Sequence, residues 1–190
     1  MSDGGDTFRR LDREVLVENA WHRYCRDRYV QGDGSEGVYY YVDMPGSSAA
    51  IPVFDDGTIA LVHVHRYLLG LDLWEFPIGG MREGDDPRDV AAEELRQEAG
   101  LAADDWTPLG HFAPYKGVSN ERCHFFLARG LREVGQQLEP SERITVHRLP
   151  FEEARRRLLD QECGDGQSMA GLSLLDRWLA RGNRLTGGAR

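Results

Sequence analysis

The chain has 190 residues, of which 41% are hydrophobic and 29% charged, and this composition predicts one folded domain rather than a disordered or fibrous protein. The 32 acidic residues outnumber the 23 basic ones, so the formal net charge is −9 and binding to a nucleic acid polymer is disfavoured. Three cysteines without CxxC spacing, and no apolar run of about 20 residues, favour a cytoplasmic protein that is not in a membrane.

Short runs with β-type composition dominate the first half of the chain. We expect strands at 38–42, 51–54, 59–64 and 72–76, and the turn Asp55-Asp56-Gly57-Thr58 predicts that the second and third strands form a hairpin. A helix at 87–99 follows this β region.

The second half predicts strands at 106–112, 122–128 and 144–149, then one helix from about 150 and another at 168–181. In the last helix a core-facing stripe is expected, formed by Met169, Leu172, Leu175 and Leu179. This order of elements predicts an α+β layered fold. We divide the chain into an N-terminal strand-containing segment (1–45), a main domain (46–181) and a flexible tail (182–190).

The helix at 87–99 has well-marked ends, with Asp86 as N-cap, Pro87 in the first position and Gly100 after the last turn. Glu94 and Glu98 lie one turn apart beside its packed face. Such carboxylates repel each other unless a hard cation such as Mg²⁺ lies between them. The alternative is that both are solvated surface acids.

From Gly79 the chain reads G-x5-D-x7-E-E-L-x-Q-E-x-G-L, which resembles the Nudix box, G-x5-E-x7-R-E-U-x-E-E-x-G-U with U a bulky aliphatic residue. Three positions differ from that pattern: Asp85, Glu93 and Gln97. Gln97 offers a carbonyl oxygen but no charge, so one metal site is expected to be weaker than in the usual box.

Sequence on both sides of the box is similar to that of ADP-ribose pyrophosphatases and other nucleoside diphosphate sugar hydrolases. The upstream match is Arg66-x3-Gly70-x3-Trp74-Glu75-Phe76-Pro77, and the downstream match is Gly117-Val118-Ser119-Asn120-Glu121. The resemblance covers roughly residues 50 to 180 and implies the Nudix fold, an α/β/α sandwich with a mixed β-sheet.

The resemblance also implies roles for the acidic residues. Glu94, Glu98 and the main-chain carbonyl of Ile78 would bind Mg²⁺, with Mn²⁺ possible, and Gln97 would be a neutral ligand. Glu142 would bind a further metal or take the proton of the attacking water, and Glu139 is the alternative for that role.

Arg66, Glu75 and Glu121 are the substrate-binding residues that the resemblance implies. For Arg66 the alternative is an ion pair with Asp72 or Glu75, and for Glu121 it is a structural contact within its loop. His63 and His65 alternate on one strand face and could suggest a metal pair, but packing is the favoured interpretation.

The implied function is metal-dependent hydrolysis of a nucleoside diphosphate linked to another group, with ADP-ribose or a nucleotide sugar preferred and a nucleoside monophosphate released. The competing hypothesis is an inactive Nudix domain that senses a nucleotide ligand or serves as an accessory subunit. Relatives of this kind form homodimers through their N-terminal strands, so residues 1–45 are the expected dimerisation element.

Overall fold

A computed structural model describes residues 8–186. Of the expected flexible tail (182–190), residues 187–190 lie outside the described residues. The strands and helices follow in chain order: β1 (Arg9–Glu18), β2 (Arg23–Val30), β3 (Glu36–Asp43), β4 (Ser47–Pro52), β5 (Thr58–Arg66), β6 (Leu71–Glu75), β7 (Ile78–Gly80), α1 (Pro87–Ala99), β8 (Leu101–Phe112), β9 (Cys123–Glu133), β10 (Ile144–Pro150), α2 (Phe151–Leu159) and α3 (Gly166–Leu179). Within residues 8–186 no helix combines the length and the apolar character needed to cross a membrane.

The first three strands form an antiparallel sheet of their own, in the order β1-β2-β3. The sequence predicted only the strand at 38–42, because charged residues recur along β1 and β2 and hide the apolar alternation. In the sheet, acids of β1 pair across the strands with arginines of β2, as in Arg26–Glu14 and Arg28–Asp12. Opposite charges on neighbouring strands therefore stabilise a pairing that a hydrophobic pattern does not reveal.

The expected hairpin between strands 51–54 and 59–64 is wrong. The turn forms, but only one bridge, Val53 to Ile59, joins its arms, and the two strands then enter different sheets. β4 lies between β7 and β9 in a four-stranded sheet and pairs with β9 in parallel, whereas β5 lies between β6 and β10. All six residues of β4 are buried, so this strand belongs to the interior.

The apolar residues of the sheets divide into two layers. Ala49 and Ile51 of β4 pack in the cluster that contains Leu158 of α2 and Leu175 of α3. The intervening Ala50 packs in a second cluster with residues of α1. Since side chains alternate along a strand, α1 covers one side of β4 and the other two helices cover the opposite side. The predicted α+β sandwich with helices on both sides is confirmed.

The loop between α2 and α3 closes the free edge of β6. The Gln161 side chain accepts from the Trp74 N–H at 2.8 Å and donates to the Trp74 carbonyl at 3.0 Å. Ser168 Oγ accepts from the Phe76 N–H at 2.9 Å. Helix α3 begins at Gly166, two residues before the prediction, with Asp165 as its N-cap. Of its expected stripe, Leu172 and Leu175 are buried and Leu179 packs at the core edge, whereas Met169 is exposed.

Candidate active site

A cleft of about 700 Å³ opens where β5, β6, β7, α1 and the loops before β9 and β10 meet. Six of the eight residues predicted for the site line this cleft: Arg66, Glu75, Ile78, Glu98, Glu121 and Glu142. Glu94 and Gln97 are the two that do not. The six that do come from positions up to 76 residues apart in the chain (142 − 66). The fold therefore brings predicted metal-binding and predicted substrate-binding residues together in one cleft.

Glu98 is a buried carboxylate at the base of the cleft. Its position follows from the α1 boundaries, which are confirmed: Asp86 accepts from the N–H groups of the first turn, and Gly100 ends the helix with φ +65°. Glu98 Oε2 accepts the Ile78 N–H at 3.0 Å. Burial, and then the charge of Glu94, raise the pKa of Glu98 to about 8.

Glu94 lies one helical turn earlier, against the backbone of Gly79. A Cβ atom on Gly79 would overlap the Glu94 carboxylate, so only glycine leaves room for the acid. Burial, and then the charge of Glu142, raise the pKa of Glu94 to about 7. Among residues 8–186 no side-chain donor bonds to either carboxylate.

Glu142 lies in the loop before β10, in a turn that it closes with Glu139. The Glu139 N–H donates to the Glu142 carboxylate at 2.8 Å, and the Glu142 N–H donates to the Glu139 carbonyl at 3.0 Å. Glu142 is half-buried and lines the cleft, whereas Glu139 is exposed and does not. The geometry therefore favours Glu142 over Glu139 as the third acid of the site.

These three glutamates fit a divalent metal ion by their chemistry. Their carboxylate oxygens are the ligand type that hard cations prefer, and their negative charges repel one another. The predicted carbonyl ligand belongs to Ile78, whose N–H donates to Glu98. In the part of the chain that the structure describes, no three Asp, Glu, His or Cys side chains are placed so that they could together hold a metal ion. Mg²⁺ commonly takes only one or two carboxylates and fills its other positions with water and phosphate oxygens, so an incomplete protein set is compatible with it.

Arg66 and Glu75 form the ion pair that the sequence left as the alternative. Arg66 Nε donates to Glu75 Oε1 at 2.8 Å, and its Nη2 donates to the other oxygen. These bonds raise the pKa of Arg66, which stays charged. Glu75 is buried with both oxygens engaged, while Arg66 keeps Nη1 without a bonded partner among the described residues. The pair therefore presents a guanidinium to the cleft and leaves Glu75 as its support.

At the other end of the cleft, Glu121 is buried and held by two side chains. Ser47 Oγ donates to Glu121 Oε1 at 2.6 Å, and Gln167 Nε2 lies 3.3 Å from the same oxygen and 2.9 Å from Ser47 Oγ. Ser47 and Gln167 line the cleft and were not predicted. No local pattern could have revealed them, because they come from β4 and α3, 120 residues apart.

The three positions that differ from the usual box have local partners. Asp85 accepts from the Arg82 N–H at 2.7 Å, which closes the loop before α1. Glu93 pairs with Arg96, and the Gln97 amide nitrogen donates to Glu93 at 2.6 Å. Gln97 does not line the cleft. Within residues 8–186 no arginine bonds to Glu94 or Glu98, and Glu98 is held by the Ile78 N–H.

His63 and His65 do not point to a shared partner. The His63 ring packs on Trp74, with ring centroids 4.7 Å apart, and His65 Nδ1 lies 2.8 Å from Asp72 Oδ1. His63 packs as predicted, and Asp72 is engaged by His65 rather than by Arg66.

The NUDIX domain family model matches residues 44–168. The chain is 33% identical over 168 residues to an ADP-ribose pyrophosphatase of Mycobacterium tuberculosis, which covers 87% of this chain and 81% of that protein. It is 29% identical over 170 residues to an ADP-ribose pyrophosphatase of Bacillus subtilis, covering 86% and 92%.

A solved structure described as that of an ADP compounds hydrolase has the same fold. It superposes with a TM-score of 0.79 over 96% of this chain and 100% of its own, at 19% identity. At that identity the similarity supports the fold alone, while the sequence relatives support the family.

Proposed function

The chain belongs to the NUDIX family as a Nudix hydrolase similar to ADP-ribose pyrophosphatases, and on that premise we propose that it cleaves a nucleoside diphosphate linked to a sugar or similar group. ADP-ribose is the first choice, and a nucleoside monophosphate is one product. The observation that carries this proposal is a group of charge-coupled acids at the cleft. Glu98 and Glu142 line the cleft, Glu94 lies one helical turn before Glu98, and burial and then the charges of Glu94 and Glu142 raise the pKa of Glu98. Within residues 8–186 no cationic side chain bonds to Glu94 or Glu98.

Members of this family typically use a divalent metal ion. In our proposal Glu94, Glu98, Glu142 and the Ile78 carbonyl hold Mg²⁺ or Mn²⁺, and Gln97 is the predicted ligand that the geometry supports least. When bound, the metal neutralises diphosphate charge and lowers the pKa of a bound water. Glu142 is the residue proposed to accept the proton of the attacking water, because it lines the cleft from the loop before β10 rather than from α1.

The remaining residues of the cleft bind the substrate in this proposal. Arg66 contacts a phosphate oxygen through Nη1, since Nε and Nη2 each donate to Glu75. Glu75 acts on the substrate through Arg66. Glu121 accepts from a ribose hydroxyl with Oε2, because Ser47 and Gln167 engage Oε1.

The test is a substrate panel assayed at increasing Mg²⁺ and Mn²⁺. It contains ADP-ribose, several nucleotide sugars, dinucleotides and nucleoside triphosphates, and released nucleoside monophosphate is the readout. We expect turnover that requires metal and is highest with a nucleoside diphosphate derivative. Binding of ADP-ribose without turnover at any metal concentration would instead support the nucleotide sensor, the hypothesis that Glu93 at the position of the usual box arginine favours.

We also propose that the protein is a homodimer that associates through the outer face of the N-terminal sheet. Four partly exposed apolar side chains share this face: Val17, Tyr24, Val38 and Tyr40, each between 42% and 64% exposed. On the same face these side chains lie beside the Arg26–Glu14 and Arg28–Asp12 ion pairs. Exposed apolar side chains of this kind favour burial against a second copy.

Light scattering during size exclusion measures the assembly directly. Wild-type protein is expected at twice the monomer mass, and Tyr40→Glu at the monomer mass. Leu159→Glu is the matched control, because Leu159 is 43% exposed on α2, away from the N-terminal sheet. A monomeric wild type would contradict the dimer.

A further inference from the structure

Residues 113–121 of the loop between β8 and β9 are hydrogen-bonded to the N-terminal sheet. Ser119 bridges Val42 of β3 in parallel, and the Val42 N–H donates to the Val118 carbonyl at 2.8 Å. Tyr39 Oη donates to the Gly117 carbonyl at 2.9 Å. The same loop carries Tyr115 and Glu121, which line the cleft. One wall of the cleft is therefore attached to a sheet outside the main domain.

Asn120 makes the side-chain part of this attachment with both ends of its amide. Its Oδ1 accepts the Met44 N–H at 2.9 Å, and its Nδ2 donates to Asp43 Oδ1 at 2.6 Å. Asp43 is buried, and its other oxygen pairs with Arg13 at 3.2 Å and Arg23 at 2.9 Å. A chain of charged and polar contacts thus connects β1, β2 and β3 to the residue before Glu121.

We propose that Asn120 is a positioning residue for substrate binding, acting through the Asp43 contact to hold Glu121 in the cleft. This inference rests on the proposed function. Neither Asn120 nor Asp43 lines the cleft, and the acids of α1 have no bond to the 113–121 loop among the described residues. Loss of the contact therefore weakens substrate binding and leaves the hydrolytic step nearly unchanged.

The substitution Asn120→Asp tests this with almost no change of volume. It replaces the donor that faces Asp43 by an oxygen, so two carboxylates oppose each other where a hydrogen bond was. We expect KM to rise by about tenfold while kcat changes by less than about twofold. Asn19→Asp is the matched control, since Asn19 lies in the β1–β2 turn and uses its Oδ1 to accept two N–H groups.

The double variant Asp43→Asn with Asn120→Asp separates positioning from general damage. In it residue 43 supplies the amide donor and residue 120 the carboxylate acceptor, the reverse of the wild type. The negative charge of Asp43, which pairs with Arg13 and Arg23, is lost. We expect its KM to fall back toward the wild-type value. A structural loss with no specific role would instead make the double variant worse than either single one.

A direct titration with ADP in the presence of Ca²⁺ gives a readout that does not need turnover. Weaker ADP binding by the Asn120→Asp variant, and recovery in the double variant, support the proposal even if no diphosphate substrate is cleaved. Unchanged KM and ADP affinity for Asn120→Asp, or a double variant no better than it, overturn the proposal. Absence of turnover in the wild type would count against the proposed function alone.

Discussion

Four carboxylates of the candidate site are of two kinds, and all of them are buried except Glu94, which is half-buried. Glu75 and Glu121 have side-chain partners, Arg66 for the first and Ser47 with Gln167 for the second. Glu94 and Glu98 have no cationic side chain bonded to them within residues 8–186 and repel each other. Burying unpaired charge is costly, so a protein retains it where a ligand supplies the missing charge. The partnered acids therefore support the cleft, and the unpartnered acids fit the proposed role of binding a cation.

Removing one unpartnered acid has the largest expected effect. Glu98→Gln keeps an acceptor for the Ile78 N–H but removes the charge, so kcat should fall by on the order of 10²- to 10³-fold. Steady-state assays of the most active substrate measure this. Glu93→Gln is the control, since Glu93 is exposed and pairs with Arg96. Equal activity of the Glu98 variant and the wild type would remove the distinction between the two kinds of acid.

Removing the arginine that pairs with Glu75 should instead lower the stability of the folded protein. Arg66→Ala leaves Glu75 buried with no cation, so we expect the free energy of unfolding to drop by roughly 3 kcal/mol in urea titrations. Adding Glu75→Gln should recover part of the loss, because the stranded charge disappears. An Arg66→Ala protein as stable as the wild type would show that Glu75 does not depend on its partner.

The unpartnered pair also predicts how stability depends on pH without metal. The pKa values of about 7 for Glu94 and about 8 for Glu98 exceed the ordinary value of 4.5, so between these limits the folded protein holds protons that the unfolded chain has released. Stability from these groups is therefore present at pH 5 and is lost as the pH rises to 8. In EDTA we expect the Tm to fall by at least about 3 °C over this range.

The Glu98→Gln variant provides the control for that measurement, because one of the two titrating groups is gone. Its Tm should depend less steeply on pH than that of the wild type. A wild-type Tm that rises from pH 5 to pH 8 in EDTA would contradict the assignment of raised pKa values to this pair.

The smallest effect is expected at Gln97, whose amide nitrogen contacts Glu93 outside the cleft. Gln97→Glu should change Mg²⁺ affinity by less than about threefold, since the new charge mainly repels Glu93. Calorimetric titration of Mg²⁺ measures the difference. A tenfold gain in affinity would return Gln97 to the metal-ligand set that the resemblance implied.

The parts that the sequence predicted best are those encoded by neighbouring residues. Helix α1 begins where the Asp86 side chain accepts the first N–H groups and Pro87 follows, and it ends at Gly100. The helical repeat then predicts that Glu94 and Glu98 lie one turn apart. The three-residue strand β7 was missed, because Pro77 and the glycines after it resemble the end of a strand.

The features that the sequence analysis predicted wrongly or missed depend on contacts between residues far apart in the chain. The DDGT turn is typical of a hairpin, but β4 gains more by pairing in parallel with β9, about 75 residues later, where both its faces are buried. Glu98 was expected beside the packed face of α1 and is instead buried against Ile78. Ser47 and Gln167 carry no local signal, because their role exists only once β4 and α3 meet at Glu121.

Binding of Mn²⁺ in the absence of substrate shows whether these acids hold a cation, with free Mn²⁺ quantified by its electron paramagnetic resonance signal at pH 8. We expect the wild type and Glu93→Gln to bind Mn²⁺ with equal affinity and Glu98→Gln to lose at least one site. Equal Mn²⁺ binding by the wild type and Glu98→Gln, or no binding by either, would contradict the claim that the unpartnered acids hold a cation.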